Sequence, residues 1–404
     1  MKEQIKQQLN WNDKEERFYM NYKMIQSVNI LTTDNFAEDA VGVLQKGGYS
    51  KPLIVTDEFM AGTDLMKAFL NKITDAGLQY YIFDSVKPDP VISTVDNGYE
   101  VYAEESCDAV FAIGGGSVLD VARGINILAH NGGKIISYIE GKAVKHSPGL
   151  ISVPTTSGTG SELSNAVVLT DPETDSKHTI LADGAKSEVA ILAPEWVLTL
   201  PLGQTIATGL DAFSHAAEAY TSKLATPVND AICEKVMFII VNYLPKVIEN
   251  PTDKLVRSKM QVAAALGGWA INNGGTHIGH SIAHITGAEF HVPHGMMCAY
   301  ALPAALKYVS GVQTRKVKEI GQILGLTFNG DEDADQIGDL VSKAYINFRD
   351  ITLGMQPISK FNIDKEVFIN LSSEVVKERF ASNTPLPLDE EVVRRLMTEI
   401  IEGE

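Results

Sequence analysis

The sequence predicts two architectures in succession, an α/β half built on a parallel sheet and then an all-helical half. In the first half, short apolar β-like runs alternate with longer stretches of helical period, which is typical of βαβ units. From about Thr199 onward, Ala- and Leu-rich segments with apolar residues three and four apart dominate instead. The change occurs within 192–205, a stretch with two prolines. A chain of 404 residues is long enough for two such domains.

The β-like and helical runs of the first half follow one another in a regular order. Each predicted strand precedes its helix, in the pairs 51–57 and 62–76, 79–86 and 91–106, and 108–117 and 118–130. The whole chain is then divided into an N-terminal extension over 1–22, an α/β domain over 23–199 and an all-helical domain over 200–404.

Charge and cysteine content exclude several classes of protein. The 34 Lys and Arg residues against 51 Asp and Glu residues leave a net charge of −17, which argues against a nucleic-acid or anionic-membrane partner and favours small molecules. Three widely separated cysteines without CxxC spacing indicate neither a disulfide framework nor a thiolate zinc site. The N-terminus mixes charges and has no signal-peptide core, so we expect a cytoplasmic protein.

The segment FAIGGGSVLD (111–120) is an apolar strand followed by three glycines and a serine that open a helix. Bare backbone N–H groups at the positive end of a helix approach a phosphate closely. The segment is therefore predicted to bind the pyrophosphate of a dinucleotide. It lacks the GxGxxG fingerprint, so an ordinary tight strand-to-helix turn is the alternative.

Two further segments fit the same ligand. Asp57 ends the strand LIVTD, and a carboxylate there accepts hydrogen bonds from ribose hydroxyls while repelling a 2′-phosphate, which favours NAD over NADP. A helix N-cap is the alternative role for Asp57, and the two roles are compatible. The segment VPTTSGTGSE (153–162) places several hydroxyl groups and two glycines in one loop. Such a loop suits polar contacts to a cofactor, and an ordinary Ser/Thr turn is the alternative.

Histidines are concentrated in the second half, where HSIAHITGAEFHVPH (280–294) contains four of the nine in the chain. Asp211 and His215 stand four residues apart, as do His280 and His284, so each pair projects from one face of a helix. A carboxylate and imidazoles without a thiolate suit Fe(II) or Zn(II). Spacing alone leaves open which residues ligate beside Asp211 and His215, among His277, His280, His284, His291 and His294.

Four motifs together resemble the iron-containing alcohol dehydrogenases. They are GGGSxxD (114–120), PTTSGTGSE (154–162), GLDAFSHAAEAY (209–220) and HSIAHxxGAxFHVPHG (280–295). The segment SKLATPVNDA (222–231) is most similar to the group III subgroup that includes 1,3-propanediol dehydrogenase and lactaldehyde reductase. The resemblance covers roughly 50–395.

The resemblance implies a Rossmann-like dinucleotide-binding α/β domain, an all-α metal-binding domain and an active site between them. It implies four metal ligands, Asp211, His215, His280 and His294. His284 is then the catalytic histidine beside the substrate, while His277 and His291 have supporting or unknown roles. The residues that the resemblance implies for cofactor binding are Gly114, Gly115, Gly116, Ser117, Thr155, Thr156, Thr159 and Lys177. Asp57 and Asp89, which the sequence itself suggests, complete the predicted cofactor-binding set.

This sequence departs from the family pattern at three places. Relatives usually have a glycine-containing FGxG-like turn where this chain has VNILTTDNFAED (28–39), so we expect a differently shaped adenine end. Asp89–Pro90 replaces the Asn-Pro of many relatives, which places a second carboxylate near the nucleotide. The segment 1–22 has no recognised counterpart, and a surface tail or a partner-docking helix would account for it.

The chemistry implied is metal-dependent, NAD(H)-linked interconversion of a small primary alcohol and its aldehyde, by a homodimer or larger homo-oligomer. A transhydrogenase that retains its nicotinamide is an alternative, and the sequence hardly distinguishes it from a dehydrogenase. A metal- and NAD-using lyase of the dehydroquinate synthase type would need a dense set of Lys and Arg, which the histidine-rich segment 280–294, here called the histidine loop, lacks. A metal-storing protein would leave the Gly- and Thr-rich loops unexplained. The same lack of Lys and Arg predicts uncharged substrates of about two to four carbons.

Overall fold

The computed structural model describes residues 24–173 and 176–403. The predicted N-terminal extension, 1–22, lies outside these residues. The first half contains a six-stranded parallel sheet in the order β1-β8-β5-β4-β2-β3 and a separate antiparallel pair, β6 and β7. The strands are Asn29–Thr32 (β1), Pro52–Val55 (β2), Tyr81–Phe83 (β3), Ala109–Gly114 (β4), Leu150–Pro154 (β5), Ala166–Asp171 (β6), Ser176–Leu181 (β7) and Val189–Leu192 (β8).

Helices connect these strands. They are Phe36–Gly47 (α1), Glu58–Ala61 (α2), Asp64–Asp75 (α3), Ile92–Glu104 (α4), Gly116–Asn131 (α5) and Ile136–Ile139 (α6). Every residue of β2, β4 and β5 is buried, because a parallel sheet is covered on both faces, and this explains the continuous apolar runs in the sequence. The predicted parallel α/β half is confirmed, with strands somewhat shorter than the apolar runs that predicted them.

The order of the strands creates a crevice at the carboxyl ends of two central strands, β2 and β4. The chain leaves β2 toward β3 on one side, and it leaves β4 toward β5 on the other side. Connections that diverge in this way open a crevice at the carboxyl ends of the two adjacent strands, where α/β proteins bind ligands. Asp57 follows β2, and the glycine turn follows β4, so both lie at this crevice.

The second half is helical, as the sequence predicts. Its helices are Leu202–Thr221 (α7), Pro227–Glu249 (α8), Lys254–Gly274 (α9), Ile278–Glu289 (α10), His294–Ile323 (α11), Ala334–Asn347 (α12), Lys365–Asn370 (α13), Ser372–Lys377 (α14) and Glu390–Glu402 (α15). The last strand ends at Leu192 and α7 begins at Leu202, so the predicted boundary of 199/200 falls between them and stays a prediction at residue precision. Among the described helices, none has both the length and the apolar character that crossing a membrane requires.

Two glycines bring the loop after β5 into direct contact with α9. A Cβ added at Gly268 would lie 2.1 Å from the carbonyl oxygen of Gly160, and one added at Gly160 would lie 2.4 Å from that of Ala264. Gly160 also has a φ of +60°, which disfavours any side chain there. The two halves of the chain therefore pack backbone against backbone at this point.

We expect Gly268→Ala to lower the free energy of unfolding by about 1 to 3 kcal/mol, the usual cost of overpacking a core. The added methyl group would push the loop after β5 away from α9. The measurement is chemical denaturation followed by circular dichroism.

Gly203→Ala is the matched control for Gly268→Ala. Gly203 is exposed on α7, and nothing lies within 4 Å of a Cβ added there. This variant should be neutral or slightly stabilising, because Ala has the higher helix propensity. Equal stability of the two variants would show that the contact between Gly160 and Gly268 is not tight.

Candidate active site

The glycine turn after β4 leads directly into α5. Gly114 is the last residue of β4, Gly115 is the N-cap of α5 and Gly116 is its first residue. Gly115 has no side chain with which to cap the helix, so the first N–H groups of α5 are left for water or a ligand. Ser117 follows in the first turn. The start of α5 therefore has the features that favour an anion, and it lies at the mouth of the crevice.

The threonine-rich loop lies against this glycine turn. The N–H of Thr155 donates to the carbonyl of Gly114 at 3.0 Å. A Cβ added at Gly116 would lie 3.0 Å from Thr159 Cγ2, and one added at Gly115 would lie 3.4 Å from Thr156 Cγ2. The glycine turn and the threonine-rich loop, which are separate segments in the sequence, therefore form one wall of the crevice.

A buried ion pair holds the two segments together. Asp120 accepts hydrogen bonds from Ser161 Oγ at 2.6 Å and from the N–H of Val168 at 3.0 Å. Arg123 is completely buried, and it donates to the carbonyl oxygens of Ser161 and Ala166. Sequence analysis quoted Asp120 within its motif but missed Arg123, since nothing local marks an arginine that pairs with residues about forty positions away.

The three charged residues predicted for the cofactor occupy two places. Asp57 caps α2, where its Oδ1 accepts from the N–H of Met60 at 2.9 Å, so the predicted alternative role is present and the carboxylate still lies at the crevice. Asp89 and Lys177 form an ion pair at 2.5 Å between Oδ1 and Nζ. Asp89 has a φ of 50°, a left-handed conformation that Asp adopts more readily than most residues. Their pairing spans 88 residues and was not foreseen.

Three imidazoles surround one carboxylate oxygen in the helical half. Oδ1 of Asp211 lies 3.7 Å from Nε2 of His215, 3.8 Å from Nε2 of His280 and 3.6 Å from Nε2 of His294. Asp211 and His215 are on α7, His280 is on α10, and His294 begins α11. Donor atoms that each lie about 2.1 Å from one cation are about 3.4 Å apart at the tetrahedral angle.

The donor set fits a divalent cation. Asp211 Oδ1 and His280 Nε2 are buried and lack a hydrogen-bond partner in the protein, and such atoms are costly unless something else satisfies them. Burial, and next the neighbouring His215, lower the pKa of His280 well below its usual range, so this imidazole is neutral as a metal ligand must be. Burial works to raise the pKa of Asp211, but the surrounding histidines outweigh it, and the pKa is lower than usual.

Glu218 orients one of these histidines from behind. It is 1 % exposed, and its Oε2 accepts from Nδ1 of His280 at 3.0 Å and from the N–H of His277 at 2.7 Å. Because Nδ1 carries the proton, Nε2 of His280 presents its lone pair to the cluster. Glu218 is in the quoted motif GLDAFSHAAEAY, one turn after His215, but the sequence alone assigned it no role.

Cys298 is a member of the cluster that sequence analysis missed. The ligand atoms of Asp211, His280, His294 and Cys298 all lie within 4.8 Å of one another. Cys298 is buried, and its Sγ is 3.5 Å from Nε2 of His294. His215 lies outside this group of four. The signal that could have found Cys298 is its position four residues after His294, on the same face of α11.

The other histidines have different surroundings. His284 is 32 % exposed by side chain; its ring stacks on that of His294 with centroids 5.2 Å apart, and its Nδ1 is 3.3 Å from Oε1 of Glu378. His277 is fully buried behind the cluster, with its Nε2 2.9 Å from Thr221 Oγ1. His291 is exposed in the turn before α11.

The metal cluster and the cofactor loops meet at α7. A Cβ added at Gly158 would lie 2.6 Å from Cβ of Thr208, which is one turn before Asp211 on α7. The loop that packs against the glycine turn therefore also packs against the helix that carries two of the predicted metal ligands.

Comparison with known proteins agrees with this arrangement. Residues 28–194 match the family model described as iron-containing alcohol dehydrogenase, and residues 205–401 match the C-terminal model of the same family. An NAD-dependent methanol dehydrogenase of Bacillus methanolicus is 38% identical over 71% of this chain and 76% of its own length.

A 1,3-propanediol dehydrogenase of Klebsiella pneumoniae is 32% identical over 77% of this chain and 82% of its own length. Among solved structures, a 1,3-propanediol oxidoreductase superimposes with a TM-score of 0.87 at 27% identity, covering 94% of this chain and all of the other. The predicted family, subgroup resemblance and two-part fold are thus confirmed, while the assignment of individual site residues stays a prediction.

We expect Asp211→Ala and His294→Ala each to lower the amount of bound Zn(II) or Fe(II) at least tenfold after loading and gel filtration. Each substitution removes a donor atom from the centre of the cluster. Elemental analysis gives the metal content, and circular dichroism checks the fold.

His291→Ala is the control for these two variants, because His291 is the exposed histidine of the same loop. It should retain metal like the unaltered chain. Normal metal content in both Asp211→Ala and His294→Ala would contradict the predicted ligand set.

Proposed function

This chain belongs to the iron-containing alcohol dehydrogenase family, and from this we propose that it is a metal-dependent, NAD(H)-linked oxidoreductase that interconverts a small primary alcohol and its aldehyde. One observation carries the proposal within the chain itself. Three imidazole nitrogens converge on one buried carboxylate oxygen, on a helix that also contacts the loop beside the glycine turn.

Asp211, His215, His280 and His294 would hold the cation, Fe(II) by family membership or Zn(II) by donor chemistry. The bound cation supplies Lewis acidity, and the nicotinamide supplies the hydride acceptor or donor. Glu218 keeps Nε2 of His280 unprotonated and directed into the cluster. The side chains thus arrange one carboxylate and three imidazoles around a position where Asp211 Oδ1 and His280 Nε2 have no hydrogen-bond partner in the protein.

The crevice would bind the dinucleotide. Backbone N–H groups of Gly115, Gly116 and Ser117, at the start of α5, would bind the pyrophosphate, with Gly114 making room for the turn. The hydroxyl-bearing loop residues Thr155, Thr156 and Thr159 would line the neighbouring wall. Asp57 would accept from the adenosine ribose, and Asp89, paired with Lys177, would lie farther along the cleft.

His284 would move the proton of the substrate hydroxyl group. Its ring stacks on His294 and is partly exposed, so it lies between the metal cluster and the solvent. With Nδ1 directed at Glu378, proton exchange takes place at Nε2. His284 would therefore take the proton when the alcohol is oxidised and return one when the aldehyde is reduced.

The proposal extends to the domain organisation, the location and the assembly of the protein. Two domains, 23–199 and 200–404, would enclose the site, in agreement with family models that match 28–194 and 205–401. The net charge of −17 argues against nucleic-acid and anionic-membrane partners. Three separated cysteines without CxxC spacing fit an enzyme of the reducing cytoplasm. A homodimer or larger homo-oligomer is the assembly that we expect.

We expect the Fe(II)-loaded chain to oxidise NADH more efficiently than NADPH, and Asp57→Asn to narrow that preference by about 1 to 3 kcal/mol, or roughly 5- to 150-fold in kcat/KM. Asn removes the charge that repels a 2′-phosphate but still caps α2, so helix stability is kept. The measurement is the ratio of kcat/KM for the two cofactors with one aldehyde.

Asp75→Asn is the charge-matched control for Asp57→Asn. Asp75 is an exposed residue at the C-terminal end of α3, the end that leads to the start of β3 and so away from the carboxyl ends of the strands. Its substitution should leave the ratio unchanged. A preference of the unaltered chain for NADPH would refute the role of Asp57.

We expect propanal to be reduced with NADH and to be preferred over a carboxylate-bearing aldehyde of similar length. No Lys or Arg lies in the histidine loop, so an anionic substrate would lose hydration without gaining a partner. The measurement is kcat/KM for each aldehyde, followed by NADH absorbance. Failure to reduce any small aldehyde would contradict the proposed function.

The structure identifies one cation to examine if the acidic aldehyde is preferred. Arg379 lies with its guanidinium 5.1 Å from the centroid of the Phe380 ring, and that ring is 5.5 Å from the ring of His284. A preference of tenfold or more for the acidic aldehyde, about 1.4 kcal/mol, would overturn the prediction of uncharged substrates. Loss of that preference in Arg379→Ala would then identify Arg379 as the partner.

A further inference from the structure

Glu378 approaches the histidine at the exposed side of the metal cluster from a distant part of the chain. It lies between α14 and a short 3-10 helix, Arg379–Asn383, 94 residues after His284 in the sequence. Its Oε1 is 3.3 Å from Nδ1 of His284, and its side chain is only 12 % exposed. It is neither a predicted metal ligand nor a predicted cofactor contact.

The second oxygen of this carboxylate is held by two other donors. Glu378 Oε2 accepts from Ser281 Oγ at 2.6 Å and from the N–H of Phe380 at 2.8 Å. These bonds fix the plane of the carboxylate, so Oε1 has no freedom to turn away from His284. Burial works to raise the pKa of Glu378, but the hydrogen bonds from His284 and Ser281 outweigh it, and the group stays ionised at neutral pH.

The imidazole of His284 is also restricted on its faces. Its ring is nearly parallel to that of His294, at an interplanar angle of 18° and a centroid distance of 5.2 Å. The ring of Phe380 lies 5.5 Å away at 57°. Phe380 follows Glu378 directly in the sequence, so one short segment sets both the edge and one face of the imidazole.

Geometry at Nδ1 determines which nitrogen is available for chemistry. A carboxylate only accepts hydrogen bonds, and a neutral imidazole carries a proton on one nitrogen only. A hydrogen bond from His284 to Glu378 therefore requires the proton on Nδ1 and leaves the lone pair on Nε2. Without the carboxylate, the two tautomers compete, and the neighbouring rings of His294 and Phe380 do not select between them.

We propose that Glu378 is the positioning residue of His284: it accepts the Nδ1 proton and so presents an unprotonated Nε2 to the substrate hydroxyl. This role rests on the proposed function. In alcohol oxidation the O–H bond breaks, its proton forms a bond to Nε2, and the imidazolium that results lies against the Glu378 carboxylate. In aldehyde reduction the same proton returns from Nε2 to the oxygen.

The first test reads the tautomer of His284 directly and needs no turnover. In ¹⁵N-histidine-labelled, Zn(II)-loaded chain, the ring nitrogen shifts of His284 should be those of the Nδ1–H tautomer. In Glu378→Gln the amide both donates and accepts, so the shifts should move toward a mixture of tautomers. A His284 that is protonated on Nε2 in the unaltered chain would overturn the proposal.

The second test separates positioning from general structural support. Glu378→Gln should lower kcat about 10- to 100-fold, while KM, NADH affinity and metal content stay within twofold of the unaltered chain. Glu378→Asp, which keeps the charge, should recover part of the lost kcat. Loss of metal together with kcat would show that Glu378 supports the cluster instead of His284, and would overturn the proposal.

Glu374→Gln is the matched control for Glu378→Gln, since it makes the same substitution at an exposed position on α14. It should change neither the tautomer nor kcat. The two tests also separate this proposal from the proposed function. If the chain reduces no aldehyde, the proposed function fails, whereas an unchanged tautomer in Glu378→Gln refutes the positioning role whatever the chain reduces.

Discussion

A buried carboxylate oxygen without a protein hydrogen-bond partner is the constraint on which the helical half of this molecule depends. Asp211 is 2 % exposed, and its Oδ1 faces three imidazole nitrogens. An unpaired buried charge costs several kcal/mol, so this arrangement is stable only when a cation or protonated imidazole balances it. Since the imidazoles come from α7, α10 and α11, one charge requirement specifies how three helices meet.

Carboxylates in a second layer then decide what each imidazole does. Glu218 accepts from Nδ1 of His280, so Nε2 of His280 faces the cluster. Burial lowers the pKa of this ring and keeps it neutral. Glu378 faces Nδ1 of His284, which lies toward the solvent. A carboxylate that accepts from Nδ1 thus orients both a predicted metal ligand, His280, and a predicted proton carrier, His284. The two histidines differ in the direction of Nε2 and in the exposure of the ring.

Glycines connect this chemistry to the nucleotide half. The loop after β5 contacts the glycine turn at its start, α7 at Gly158 and α9 at Gly160. Backbone contact at distances that exclude a Cβ leaves little room for the two halves to slide past one another at this loop. The buried pair of Asp120 and Arg123 holds the far end of the same loop to α5. The proposed dinucleotide in the crevice and the proposed substrate at the cluster would thereby share one cleft.

The sequence by itself determined what local pattern can carry. Alternating apolar runs predicted the parallel sheet, GGGS predicted an anion-binding helix start, and the four-residue spacings of Asp211 with His215 and of His280 with His284 predicted shared helix faces. Only the tertiary structure decided which residues complete each arrangement. Arg123 beneath the loop, Glu378 at His284 and the pairing of Asp89 with Lys177 became visible only in the fold. Cys298 was recognised at the cluster only there as well, although it stands one turn after His294 on the same helix. The physical reason is distance along the chain. Periodicity in a sequence indicates only which residues are neighbours within a turn or two of a helix. The burial and charge balance that select these partners act between segments that are about forty to ninety residues apart.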